Sequence, residues 1–102
     1  MSYLIIATDH DSKEDLRESI REEHRTHLKS AGKTLLGSGA LLSDDGNKII
    51  GGFSILDTDD KQKALEFANE DPYSKAGIRK ETQVIRWRRR WVDGEFLGDI
   101  NF

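Results

Sequence analysis

A chain of 102 residues with 34% charged and 35% hydrophobic side chains can fold as one domain around a lean two-layer core, and is too short for two. It has no cysteine, which excludes disulfides, zinc–thiolate centres and a thiol nucleophile. Its net charge of −3 is unevenly spread: residues 79–91 hold six basic side chains (Arg79, Lys80, Arg86, Arg88, Arg89, Arg90) and one acidic (Glu81), net +5, which leaves −8 elsewhere. Such polarity predicts anion binding or self-association.

The stretch MSYLIIATDHD has no basic region before its short apolar run and meets acidic residues at once. Neither a signal peptide nor a membrane span is expected, and the chain reads as a soluble, cytoplasmic protein. Residues 3–8 read as a short buried strand. Ser12 with Asp15 three positions on resembles a capping box, and opens one continuous helix. In it Leu16, Ile20, His24, Leu28 and Ala31 recur at intervals of three or four, and Gly32 supplies the stop.

Residues 34–42 and 48–57 read as strands joined by Ser43-Asp44-Asp45-Gly46-Asn47, whose Asp-Gly step favours a hairpin turn. A second helix is expected from Thr58 or Asp59 through Asn69, with Ala64, Leu65, Phe67 and Ala68 on its apolar face. Asp71-Pro72 ends it, because proline disfavours a helical residue before it. Residues 73–77 read as a turn or helical scrap. Residues 84–91 read as the last strand, with Arg86, Arg88 and Arg90 on one face and Ile85, Trp87 and Trp91 on the other. The domain is expected to span residues 1–91, and residues 92–102, punctuated by Phe96, Leu97, Ile100 and Phe102, to form a tail packing on a dimer.

The order strand, helix, strand, strand, helix, strand predicts an α+β domain, a ferredoxin-like βαββαβ with an antiparallel sheet. Both helices then cover one sheet face. A second copy of the chain is the economical cover for the other, giving a homodimer that encloses a cleft.

His24 lies on the axis of the apolar stripe, flanked at three-residue spacing by Arg21 and His27, so that all three are expected to reach one pocket. Asp9, at the end of the first strand, is placed to orient the imidazole and raise its basicity. The same residues admit a structural reading: a hydrogen-bonded core histidine, and an aspartate engaged in turn chemistry. A metal site at His24 and His27 lacks a third ligand and the i, i+4 spacing, so no metal is expected. The Arg-Trp-Arg-Arg-Arg-Trp run raises nucleic-acid binding, but alternation puts its aromatics opposite its arginines and the chain is acidic overall, so a solvated strand face or dimer salt bridges are expected instead.

Arg21-Glu22-Glu23-His24, Leu28-Lys29-Ser30-Ala31-Gly32, Gly39-Ala40-Leu41-Leu42, Gly52-Phe53-Ser54-Ile55 and Asp71-Pro72-Tyr73 with Ala76-Gly77, in this order, resemble the YciI-like (YCII-related) family. The resemblance implies a dimeric ferredoxin-like α+β barrel, related in fold to muconolactone isomerases and to small heme-degrading or quinone-forming monooxygenases. It also implies an active site on a His–Asp pair, carried by position onto His24 and Asp9, with Arg21, Asp71 and Tyr73 at the other motif positions as substrate-binding residues. Two departures stand out: Ala40 where the family usually has proline, and an extension from Arg88 to Phe102.

The function so implied is small-molecule acid/base catalysis of the lactone isomerase, lyase or hydrolase kind. The substrate is expected to be anionic or carbonyl-bearing and no cofactor is expected. His24 is the acid/base in this reading, Asp9 its orienter, Arg21 the anion partner and Tyr73 a donor. The competing reading is a non-catalytic ligand-binding module of the same fold. No nucleic-acid or membrane partner is expected.

Overall fold

The computed structural model describes residues 1–98. Strand β1 (Ser2–Asp9) alternates as its sequence requires, with Tyr3, Ile5 and Ala7 buried on one face. It is central, pairing antiparallel with β3 (Ile49–Leu56) on one side and β4 (Arg79–Trp87) on the other, while β2 (Leu35–Leu42) forms the edge beyond β3. The resulting order β2-β3-β1-β4 is the ferredoxin-like sheet expected from the element order.

Helix α3 (Lys61–Glu70) begins at Asp60, whose side chain accepts the Gln62 amide, and its buried Ala64 and Ala68 let it approach the sheet closely. Its partners include Tyr3 and Leu56, with Phe67 and Val84 around them. No helix among the described residues is long and apolar enough to cross a membrane.

The first helical region departs from expectation. It is two helices, α1 (Glu14–Ser19) and α2 (Arg21–Ser30), broken at Ile20, whose φ of −117° and ψ of 13° are not helical. The apolar stripe misjudges the phase of α1: Leu16 is 37% exposed, whereas Arg17 turns inward to Asp9. Ser12 does not cap, because its left-handed φ of 61° departs from the extended backbone that aims an N-cap hydroxyl at the first amides.

The last strand also differs. It starts at Arg79, five residues earlier than expected, and stops at Trp87, which pairs with Ser2. Beyond that residue β1 offers nothing to pair with, so the alternation assigned to Arg88, Arg90 and Trp91 never forms. Instead β5 (Trp91–Val92) and β6 (Glu95–Phe96) make a small hairpin across the expected tail boundary. Asp93 and Gly94 both take positive φ, as a two-residue hairpin turn demands, and Trp91 lies against Phe96. Ile100 and Phe102 lie outside the described residues.

On the sheet face opposite the helices, Leu4 stands across from both Ile55 and Ile85, and Ile6 across from Phe53. Among the described residues this apolar face has no helix over it, and Ile85 is 46% exposed.

Candidate active site

The cleft exists because of what β2 and β3 leave out. On their helix side the strands carry Ser38 and Ala40 opposite Ser54 and Gly52, so α2 has little to pack on and a space of about 350 Å³ remains. It is continuous, through Arg17, Arg21, Ile49 and Tyr73, with a second lobe of about 300 Å³ against the β2–β3 turn. Two glycines differ in what they make room for, and only Gly51 is obligatory. A Cβ on Gly51 would fall 2.0 Å from the Ala7 carbonyl oxygen, whereas one on Gly52 would fall 2.9 Å from the Arg79 guanidinium, which lies over it.

The Asp71-Pro72-Tyr73 segment builds the centre of the site. Asp71 is the N-cap of the short helix α4 (Pro72–Lys75), with its Oδ1 accepting the Tyr73 amide at 2.9 Å and proline at the first helical position, where no amide is missed. The helix closes on Gly77 (φ 75°), with the Gly77 amide donating to the Ser74 carbonyl and the Ile78 amide to the Tyr73 carbonyl. Ile78 is thereby buried completely, and the chain enters β4 with Arg79 facing Asp9.

The same Asp71 Oδ1 accepts from His24 Nδ1 at 2.8 Å. A carboxylate can only accept, so Nδ1 carries the hydrogen and the neutral ring keeps its lone pair on Nε2. That nitrogen makes no hydrogen bond among the described residues, and His24 lines the larger lobe. The imidazole stacks on the Tyr73 ring at 4.0 Å and 15°, while the Arg17 and Arg79 guanidinium carbons lie 4.3 and 5.2 Å from the centre of that ring.

Burial pushes the Asp71 carboxyl up, but hydrogen bonds from His24 and the Tyr73 amide, with the charges of His24 and Arg79, outweigh it and hold Asp71 below the ordinary carboxylate value. Asp71 is thus an anion at neutral pH. Burial pushes the Tyr73 hydroxyl above its ordinary value, Asp71 adds to the push, and the opposing pull of Arg17 and Arg79 does not cancel it. Tyr73 is a hydrogen-bond donor at neutral pH.

Asp9 is not the partner of His24. Its carboxylate bridges Arg17 at 2.6 Å and Arg79 at 2.8 Å, because both arginines converge on the end of β1 from opposite sides. Asp9 and Arg79 are buried to 6% and 8% exposure, and Arg79 also approaches Asp71 at 3.7 Å. Asp9 therefore acts at one remove, by fixing two cations beside the His24–Asp71 pair.

Arg21 is at the cleft wall but half exposed, ion-paired with Glu18. His27 does not join His24: its Nε2 donates to the Phe67 carbonyl at 2.8 Å and its ring stacks on Phe67, so it ties α2 to α3. No cluster of three metal-ligating side chains occurs among the described residues.

Sequence reasoning missed Arg17 and Arg79 as site residues. Arg79 had a usable signal, since in this strand order the start of β4 must lie beside the end of β1. Arg17 had none, because its direction follows from the break at Ile20.

A two-layer α+β domain with sheet order β2-β3-β1-β4, holding a histidine–carboxylate pair beside a cleft between helix and sheet edge, defines a protein of the ferredoxin-like α+β class. Residues 1–88 match the YCII-related domain, and the chain belongs to that family. Among solved structures it is similar to the 5-chloro-2-hydroxyhydroquinone dehydrochlorinase (TftG) of Burkholderia phenoliruptrix, in complex with 2,5-dihydroxybenzoquinone. That likeness has a TM-score of 0.77 at 25% identity and covers 86% of this chain and 94% of the other. No curated protein sequence matches the chain.

Proposed function

We propose that this protein is a small-molecule enzyme of the lyase kind, in which His24 moves a proton and Asp71 orients it. The observation that carries the reading is the Nδ1 to Asp71 hydrogen bond, which leaves Nε2 as a base facing the cleft. The similar dehydrochlorinase supports elimination over isomerisation or hydrolysis.

In this mechanism Nε2 removes a proton from an oxygenated, conjugated substrate, the electron pair passes into the carbon framework, and an anionic leaving group departs with the electrons of its own bond. Asp71 stabilises the imidazolium, which then releases its proton to water. Charge developing on a substrate oxygen is met by Arg17, Arg21 and the Tyr73 hydroxyl, preorganised at the shared wall of the two lobes. The role first given to Asp9 passes to Asp71, and Asp9 becomes a positioning residue for Arg17 and Arg79.

The active form is a homodimer joined through the open sheet face of Leu4, Ile6, Phe53, Ile55 and Ile85, whose apolar surface needs cover. The hairpin of β5 and β6 completes that assembly.

The deciding experiment offers the purified protein 5-chloro-2-hydroxyhydroquinone and a panel of enol-lactones, following chloride release and absorbance. Turnover by the native chain and a fall of about 10²-fold or more in His24→Gln are expected. No turnover of any compound, or a His24→Gln variant as active as the native chain, overturns the reading in favour of a binding module.

A further inference from the structure

The lobe facing His24 carries charge of one sign, three of its arginines on the helices and Arg79 over Gly52 on the floor. Arg17, Arg21, Arg25 and Arg79 line it together with His24, and no carboxylate does so among the described residues. Its floor is the uncharged pair of strands β2 and β3, where Ser38 and Ser54 stand opposite one another with their hydroxyl oxygens 2.9 Å apart.

Their position is unusual for hydroxyl groups. Ser54 lies across β3 and β1 from the buried Ile5, on the face where a helix-covered sheet ordinarily presents aliphatic side chains. When one serine donates to the other, the accepting serine's own hydrogen remains unspent, and the pair retains acceptor lone pairs as well. Neither hydroxyl makes another hydrogen bond among the described residues. The pair thus keeps hydrogen-bonding capacity for a ligand atom, on the cleft floor opposite Arg17, Arg21 and Arg25 of the helices.

We propose that the Ser38–Ser54 pair is a second anchor of the substrate site: it binds one oxygen of a planar, conjugated anion whose other oxygen-bearing end lies against the arginines. The site then selects a single ring with oxygens at opposite ends, over an anion with oxygens at one end only. A space of about 350 Å³ suits one ring. The assignment rests on reading the cleft as a small-molecule site, and is independent of whether His24 transfers a proton.

The test is a pair of titrations of the full chain followed by calorimetry, with 2,5-dihydroxybenzoquinone as the two-ended probe and tropolonate as the one-ended probe. The double variant Ser38→Ala/Ser54→Ala weakens the two-ended probe by about tenfold, the equivalent of one or two hydrogen bonds, and leaves the one-ended probe unchanged. Ser38→Thr, which keeps a hydroxyl on an exposed edge strand, retains the native affinity ratio. Equal loss on both probes, no loss on either, or no binding of the two-ended probe by the native chain overturns the proposal. Turnover does not enter this ratio, so its failure and that of the His24 mechanism are told apart.

Discussion

The two halves of the sheet are covered by helices of similar length and reach opposite outcomes. Over β1 and β4, α3 buries Ala64 and Ala68, Ala64 packing with Tyr3 of β1 and with Leu56 at the very end of β3, and Ile78 seals the end of that half with no exposed surface. Over β2 and β3, α2 meets Ser38, Ala40, Gly52 and Ser54, and the space beneath stays open. The small side chains under α3 belong to the helix, so it moves down onto the sheet. Those under α2 belong to the sheet, and α2 stays up because His24 is held by Asp71 and His27 by the Phe67 carbonyl. The depth of the cleft is set by side-chain hydrogen bonds to the neighbouring half.

The sharpest way to break the contrast is to loosen the packed half. Ile78→Ala, at a position with 0% exposure, is expected to cost about 3 kcal/mol and to lower the thermal midpoint by ten degrees or more, on the scale of about 4 °C or more per kcal/mol for a domain of this size. A drop of only a few degrees would mean that the packed half is softer than its burial implies.

Next in size is Asp71, which belongs to both halves. Asp71→Asn keeps an acceptor for the Tyr73 amide but loses the charge beside His24 and Arg79, and is expected to cost about 1 kcal/mol at neutral pH. The sign with pH follows from its lowered pKa: the native chain holds this stabilisation above the ordinary carboxylate range and loses it as pH falls through the lower folded value. Tyr73 runs the other way, its contribution present below the ordinary phenol value and lost as pH rises through the raised one. Urea midpoints at pH 3 and pH 6 should therefore differ less in Asp71→Asn than in the native chain. An equal difference would remove Asp71 from the acid limb.

The smallest effect on stability is expected in the open half. Gly52→Ala pushes only the far end of the Arg79 side chain, at a cost of about 1 kcal/mol or less, yet displaces the guanidinium from its place over the cleft floor. Affinity for 2,5-dihydroxybenzoquinone should fall more than stability does. A variant that loses stability but keeps affinity would show that Arg79 serves the fold alone.

The packed half was the legible one. Alternation in β1, the Asp-Gly hairpin and the Asp-Pro stop are local signals, each recorded within a few residues, and together they dictate the strand order. The open half depends on facts that are not local. Asp9 stands at the end of β1, where a carboxylate is expected to face the helix and where the family resemblance points, whereas Asp71, 47 positions from His24, reaches the ring in space. The inward turn of Arg17 depends on a helix break that apolar periodicity smooths over. His27 shared the spacing of His24 but faces α3, because three residues on a helix are a turn of about 300°, enough to change neighbours.

One oxygen of Asp71 caps a helix and holds the imidazole. Calorimetric unfolding can therefore serve as a reporter of the His24–Asp71 pair: whatever draws that oxygen toward the ring loosens its grip on α4, and whatever frays α4 turns the imidazole away from the cleft. The set of the imidazole and the opening of residues 71–78 are then two readings of a single equilibrium, and hydrogen exchange at the Tyr73 amide would follow the hold on the ring without any ligand being present.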